Sequence, residues 1–134
     1  MKKNGLLNAQ LSYVIASMGH TDKLVICDSG LPIPNDEKVV DLALVQGIPG
    51  FVETLGAILS ELNIERAIIA DEMEKVNTNI YKQVVGLLEG VEISKVDHEG
   101  LKEMTRNNGN IYFVRTGEAT PYANIILISG VTFD

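Results

Sequence analysis

The sequence predicts an α/β protein with three layers, α/β/α, around one central sheet that is mostly parallel or mixed. Three observations carry that prediction. Short apolar runs of strand length alternate with amphipathic stretches of helical period. Two of the runs, Leu24-Val-Ile-Cys27 and Ala67-Ile-Ile-Ala70, are apolar throughout, as strands covered on both faces are. Apolar residues make up 46% of the 134 residues and charged residues 22%, so the chain can build a core and is not expected to be disordered. Alternating strands and helices pack helices on both faces of one sheet. The length suits one domain, residues 1–134, and no internal repeat or linker is visible.

Each element has a local reason. Asn8 is a candidate N-cap, Leu11, Val14, Ile15 and Met18 recur at helical spacing, and Gly19 is a natural stop. A first helix is therefore expected over 8–18. Leu24–Cys27 is a strand that ends at Asp28. Gly30-Leu-Pro-Ile-Pro34 cannot be helical and reads as a stiff extended loop. Val39–Val45 reads as a second strand. Gly47-Ile-Pro-Gly50 turns the chain, and Pro49 suits the start of a helix reaching Leu62. After the strand at Ala67–Ala70, Asp71, Glu72 and Glu74 read as a solvated acidic loop. Asn77 is placed to cap a helix through Leu88, with Ile80, Val84, Leu87 and Leu88 on one face, and Gly90 stops it. Val91–Val96 is a strand, His98–Thr105 a short helix and Asn107-Asn-Gly109 a turn. Ile111–Arg115 and Asn124–Ser129 are the closing strands.

Composition excludes several classes of function. Eighteen acidic residues against eleven basic ones leave a net charge of −7, which repels nucleic acid and anionic membranes. No apolar run reaches membrane-spanning length, and Lys2-Lys3 is followed by Asn4-Gly5 rather than by the apolar core of a signal peptide. The single cysteine, Cys27, cannot close an internal disulfide, so a cytoplasmic protein is the expectation. Glycine-rich dinucleotide and phosphate loops, a serine nucleophile elbow and a metal-spaced His/Cys set are all missing from the sequence. Cys27 lies inside an apolar strand and reads as core rather than nucleophile.

What remains is acid–base chemistry on a small neutral molecule. His20 and His98 are the only side chains with an unperturbed pKa near neutrality. His20 follows a helix stop, where unpaired carbonyls favour imidazolium, though a histidine there can simply cap the helix. Asp22 and Asp28 are close enough in sequence to orient its ring. Asp28 ends a strand, the usual address of ligands in open α/β sheets, or else caps the Ser29-Gly30 turn. His98 shares that address, or is an exposed residue of a first helical turn. Tyr122 and Asn124, two apart in an extended segment, would point to one side and offer the donors and acceptors a polyhydroxylated ligand needs. The tail 124–133 is nearly all apolar, which suits either a subunit interface or a strand buried within one chain.

The segments Gly19-His-Thr-Asp22, Cys27-Asp-Ser-Gly-Leu-Pro-Ile-Pro34, Gln46-Gly-Ile-Pro49, Arg115-Thr-Gly-Glu118, Thr120-Pro-Tyr-Ala-Asn-Ile-Ile126 and Gly130-Val-Thr-Phe133 resemble those of the ribose pyranase / fucose mutarotase family. The resemblance spans essentially the whole chain and looks closer to the ribose branch. The stretch before His98 is short for the family, which affects a loop. The resemblance implies a cofactor-free isomerase that interconverts the pyranose and furanose forms of D-ribose. It implies His20 as proton donor and Asp28, His98, Tyr122 and Asn124 as substrate contacts, with no metal. It also implies a homodecamer of two stacked pentameric rings with sites between neighbouring subunits. The general base stays open between Asp28, His98 and a held water. A non-catalytic sugar-binding or transport-accessory ring protein, and a mutarotase for fucose or another sugar, are the alternative functions.

Overall fold

The structure is a computed structural model that describes residues 1–34, 38–106 and 109–134. Its strands are β1 (Lys23–Cys27), β2 (Val39–Asp41), β3 (Ile64–Ala70), β4 (Glu92–Val96), β5 (Ile111–Arg115) and β6 (Ile125–Ser129). They form one sheet in the order β2-β5-β1-β6-β3-β4. Five strands run parallel, and β6 runs antiparallel between β1 and β3. The sheet is therefore mixed, with its reversed strand near the middle.

The helices are α1 (Ala9–Ser17), α2 (Phe51–Leu59), α3 (Asp71–Val76), α4 (Thr78–Leu87) and α5 (His98–Arg106). Side chains alternate across the strands, so each strand feeds two cores. Leu24, Ile26, Ile125 and Leu127 pack with α1 to α4 through Leu11, Phe51, Leu55, Met73 and Val84. Val25, Cys27, Phe113 and Ile126 face the other way, onto Leu101 of α5 and Leu31. This is the α/β/α sandwich expected from the alternating pattern.

Asn8 caps α1 as its spacing predicts, its side chain accepting from Leu11 N. Four expectations change. The strand expected over Val39–Val45 stops at Asp41, because the Asp41 carboxylate accepts the Ala43 N–H and turns the chain out of the sheet. The acidic loop at Asp71–Glu74 is helix α3, whose first turn carries Asp71, Glu72 and Glu74 beside the positive end of the helix. Asn77 occupies the cap position of α4, yet its side chain donates to Thr120 Oγ1 and the Pro121 carbonyl instead of capping. On α4, Val84 and Leu88 are buried, but Leu87 is exposed. The turn expected at Asn107-Asn-Gly109 falls largely outside the described residues.

The apolar tail divides. All of β6 is buried in the sheet, so burial within one chain accounts for it, and Val131 and Phe133 alone of that segment's large apolar side chains stay exposed. Among the described residues no helix is long and apolar enough to cross a membrane.

Candidate functional site

Four of the five residues singled out by sequence gather where the parallel strands end. Asp28 follows the last residue of β1, His98 opens α5 just after β4, and Tyr122 and Asn124 lead into β6, which starts at this end because it runs backwards. Strand ends leave their last backbone groups unpaired, and loops there can shape a ligand site.

Asn124 is fully buried, and both ends of its side-chain amide are engaged. Its Oδ1 accepts from the Asp28 backbone N–H at 3.0 Å, and its Nδ2 donates to Asp28 Oδ2 at 3.1 Å. The other Asp28 oxygen accepts from Gly30 N at 2.9 Å. The carboxylate is thus fixed in direction from both sides. Each oxygen keeps a further lone pair for a hydroxyl.

Tyr122 departs from the extended segment expected for it. Its φ is +60°, a left-handed conformation rare for a side chain of this bulk, and the Asn124 N–H closes back onto the Tyr122 carbonyl at 2.9 Å. Tyr122 and Asn124 therefore do not share a side through strand geometry. Such a conformation costs about 1–3 kcal/mol and persists where its surroundings over-determine it. The surroundings here are the tie from Asn77 to the Pro121 carbonyl and the edge-on packing of the Tyr122 ring against His98, centroids 5.0 Å apart.

His98 is set by its helix. Asp97 accepts the Gly100 N–H as an N-cap, which makes His98 the first residue of α5. The His98 backbone N–H donates to both oxygens of Glu72, at 3.1 and 3.0 Å. Its ring nitrogen Nδ1 is buried without a hydrogen-bond partner. An unpaired buried polar atom costs about 1–3 kcal/mol, so it marks a place where a polar group belongs. Glu72 was invisible as a site residue in the sequence. The available signal was an acidic triplet straight after a buried strand, which is how a helix start also reads.

His20 stands apart. It precedes β1, whereas Asp28 follows it, and five strand residues at ~3.3 Å each put roughly 16 Å of sheet between the two ends. The turn carrying it is closed by Asp22 N to the Gly19 carbonyl, with Thr21 at φ +69°. The Asp22 carboxylate takes the Gly19 N–H and an Asn110 N–H, so it orients the turn and not the ring. Asp28 is too distant to serve the ring either. Its partner is Glu65, with Nε2 2.9 Å from Oε2 and both side chains about half exposed, 51% and 45%. His20 borders a cavity of ≈ 400 Å³ with Met18, Asn63, Gly130 and Phe133.

Cys27 is buried next to Asp28. Burial, then the adjacent carboxylate, pushes its thiol up to about 12, so it stays protonated and inert as a nucleophile at neutral pH. Among the described residues no group of three or more His, Cys, Asp or Glu side chains is arranged to hold a metal ion.

Fold and strand-end geometry define an α/β protein with a mixed sheet and a cluster of polar side chains at the carboxyl ends of its parallel strands. The RbsD / FucU transport protein family matches residues 1–132, and the chain belongs to that family. A D-ribose pyranase of Geobacillus thermodenitrificans is 50% identical over 133 residues, covering 99% of each chain. The structure of Bacillus subtilis RbsD complexed with D-ribose is 41% identical, has a TM-score of 0.92, and is matched over 99% of this chain and 100% of that one. A fucose mutarotase of Streptococcus pneumoniae, solved with L-fucose, shares the fold at a TM-score of 0.79 and 23% identity, with 95% of each chain covered.

Proposed function

We propose that the chain is a D-ribose pyranase, a cofactor-free isomerase of 134 residues in one domain, which interconverts the pyranose and furanose forms of D-ribose. The observation that carries the reading is that a fixed carboxylate (Asp28) and a phenol (Tyr122) packed on an imidazole with an unpaired buried nitrogen (His98) all lie at the same edge of the sheet, the carboxyl ends of its parallel strands. Full-length identity of 50% with a D-ribose pyranase supports the same substrate.

The reaction needs little more than placed protons. A base removes the anomeric hydroxyl proton as the bond from C1 to the ring oxygen breaks, and an acid protonates that oxygen. The open-chain aldehyde is then attacked at C1 by the 4-hydroxyl, with the proton transfers reversed, to give the five-membered ring. Charge separation stays small, so no metal or covalent intermediate is required. One positioned acid–base group contributes typically ~10²–10⁴-fold. His20 is the acid. Asp28, His98 and Tyr122 hold the sugar's hydroxyls, and Asn124 acts through the Asp28 carboxylate that it fixes. Asp28, His98 or a water they hold is the base.

His20 reaches this site from a neighbouring chain. The roughly 16 Å length of β1 that separates it from Asp28 supports that arrangement, because one chain cannot bring the two together. A homodecamer of two stacked pentamers is the assembly we assign, in the cytoplasm, where the lone buried Cys27 stays reduced.

Saturation-transfer NMR on ribose tests the activity by following exchange between pyranose and furanose signals. The wild-type protein should accelerate exchange of ribose more than of fucose, with or without a chelator. Binding without acceleration would leave only a sugar-binding protein. For the shared site, His20→Ala and Asp28→Ala chains, each inactive alone, are mixed and reassembled. Recovered exchange supports sites shared between chains, and a mixture as inactive as its parts refutes them.

A further inference from the structure

Glu65 sits where the sheet is irregular. Along the β3–β6 pairing, Ile64 faces Ser129 and Arg66 faces Ile128, so Glu65 is an extra residue without an opposite number. A bulge of this kind re-aims the side chain that it carries. Here the carboxylate is turned onto His20 Nε2 at 2.9 Å, across 45 residues of sequence. The bulge is packed by Gly130, the residue just past β6, which donates its N–H to the Asn63 carbonyl. A Cβ at Gly130 would stand 3.3 Å from both the backbone nitrogen and the Cβ of Glu65. A side chain at 130 would therefore press on the bulge.

From this geometry we infer that Glu65 is the positioning residue for the acid, and that His20 exchanges its proton with the sugar through Nδ1. The inference rests on the proposed role of His20. A carboxylate only accepts hydrogen bonds, so the nitrogen facing Glu65 carries a proton. Nε2–H is therefore held by Glu65 in both charge states of the ring. Nδ1 is protonated in the imidazolium and a lone pair in the neutral ring, which makes it the nitrogen that turns over. In ring opening, the Nδ1 proton passes to the ring oxygen while Nε2–H stays on Glu65. In ring closure, Nδ1 takes back the proton of the attacking hydroxyl. Glu65 fixes the tautomer and points the working nitrogen away from itself.

The test uses the assembled protein with ¹⁵N-labelled histidine, in which only His20 and His98 report. In wild type, the neutral His20 ring should give the Nε2–H tautomer signature. Glu65→Ala should bring His20 to a mixture of tautomers and lower the maximal exchange rate about 10-fold with little change in KM, a fraction of the ~10²–10⁴-fold that a proton-transfer group supplies. Glu65→Gln, whose amide oxygen still accepts from Nε2–H, should recover the tautomer and part of the rate. A folded Glu65→Ala protein with wild-type rate and tautomer signature, alongside an inactive His20→Ala protein, overturns the inference. If His20→Ala keeps full exchange, the proposed role of His20 fails instead, and the tautomer signature alone still decides whether Glu65 holds the ring.

Discussion

At the carboxyl ends of the parallel strands, Asn124 is fully buried, both Asp28 oxygens are engaged, and Tyr122 is pinned in a left-handed conformation against His98. At the opposite end, His20 and Glu65 stand about half exposed, His20 beside an open cavity, bound to each other and to little else that fixes the ring. The first end is preorganised by its own chain. The second has a correctly turned side chain but no enclosed surroundings. In water a side chain so exposed gains little from electrostatics, since charges there interact through a high dielectric. The contrast teaches that one chain fixes the side chains at the carboxyl ends of its strands by itself, while the His20 end is left open, as the shared site proposed above requires.

The largest expected effect breaks the exposed end. His20→Ala should lose at least ~10²-fold in catalysed exchange, the scale of one acid–base group, with an unchanged unfolding midpoint because the side chain supports no core. Exchange NMR and thermal unfolding on the same sample check both halves of that statement.

Damage to the buried end should show the reverse balance. Asn124→Leu orphans the Asp28 backbone N–H and leaves the carboxylate short of a donor, which costs about 2–3 kcal/mol of stability as well as sugar affinity. Urea unfolding measures the first and ribose titration the second. A stable variant with normal affinity would mean that the Asp28 clamp is dispensable.

Asn77→Ala acts further out. It removes the donor shared by Thr120 and the Pro121 carbonyl, and should cost about 1 kcal/mol while loosening Tyr122. KM should rise with the maximal rate nearly preserved.

The smallest effect is expected at Cys27. Its thiol, raised to about 12 by burial and by Asp28, should resist alkylation in the folded protein at pH 8 and react fully once unfolded. The sign follows from the shift, since a raised pKa leaves the unreactive thiol at pH 8. Labelling followed by mass spectrometry reads it. Rapid labelling of the native protein would show that the carboxyl end of β1 opens.

Local physics made most of the fold legible. Asn8 capping α1, the all-apolar β1 and β3, and Gly19 and Gly90 as helix stops need only their neighbours in sequence to be understood. The strand-end address of Asp28 and His98 followed from the same reading. The failures lie in side-chain bonds and tertiary contacts. Asp41 ends β2 through a side-chain bond two residues on, and the acidic run at 71–74 is helical because α3 docks Met73 into the core. Tyr122 takes its left-handed turn because Asn77 and His98 hold it from distant segments. Glu65 meets His20 only through the pairing of β3 with β6. Contacts of that kind leave no periodicity to read.

The order of the strands also has a consequence for how the protein is made. β1 lies between β5 and β6, so both of its partners come from residues 111–129. From Cys27 to Ile111 the ribosome needs roughly 4–17 s at about 5–20 residues per second. Throughout that interval Leu24, Val25, Ile26 and Cys27, none of them exposed in the folded chain, have no strand to pair with. During synthesis β1 is an apolar, two-sided sticky edge, the kind of segment on which chaperones act and from which aggregates start.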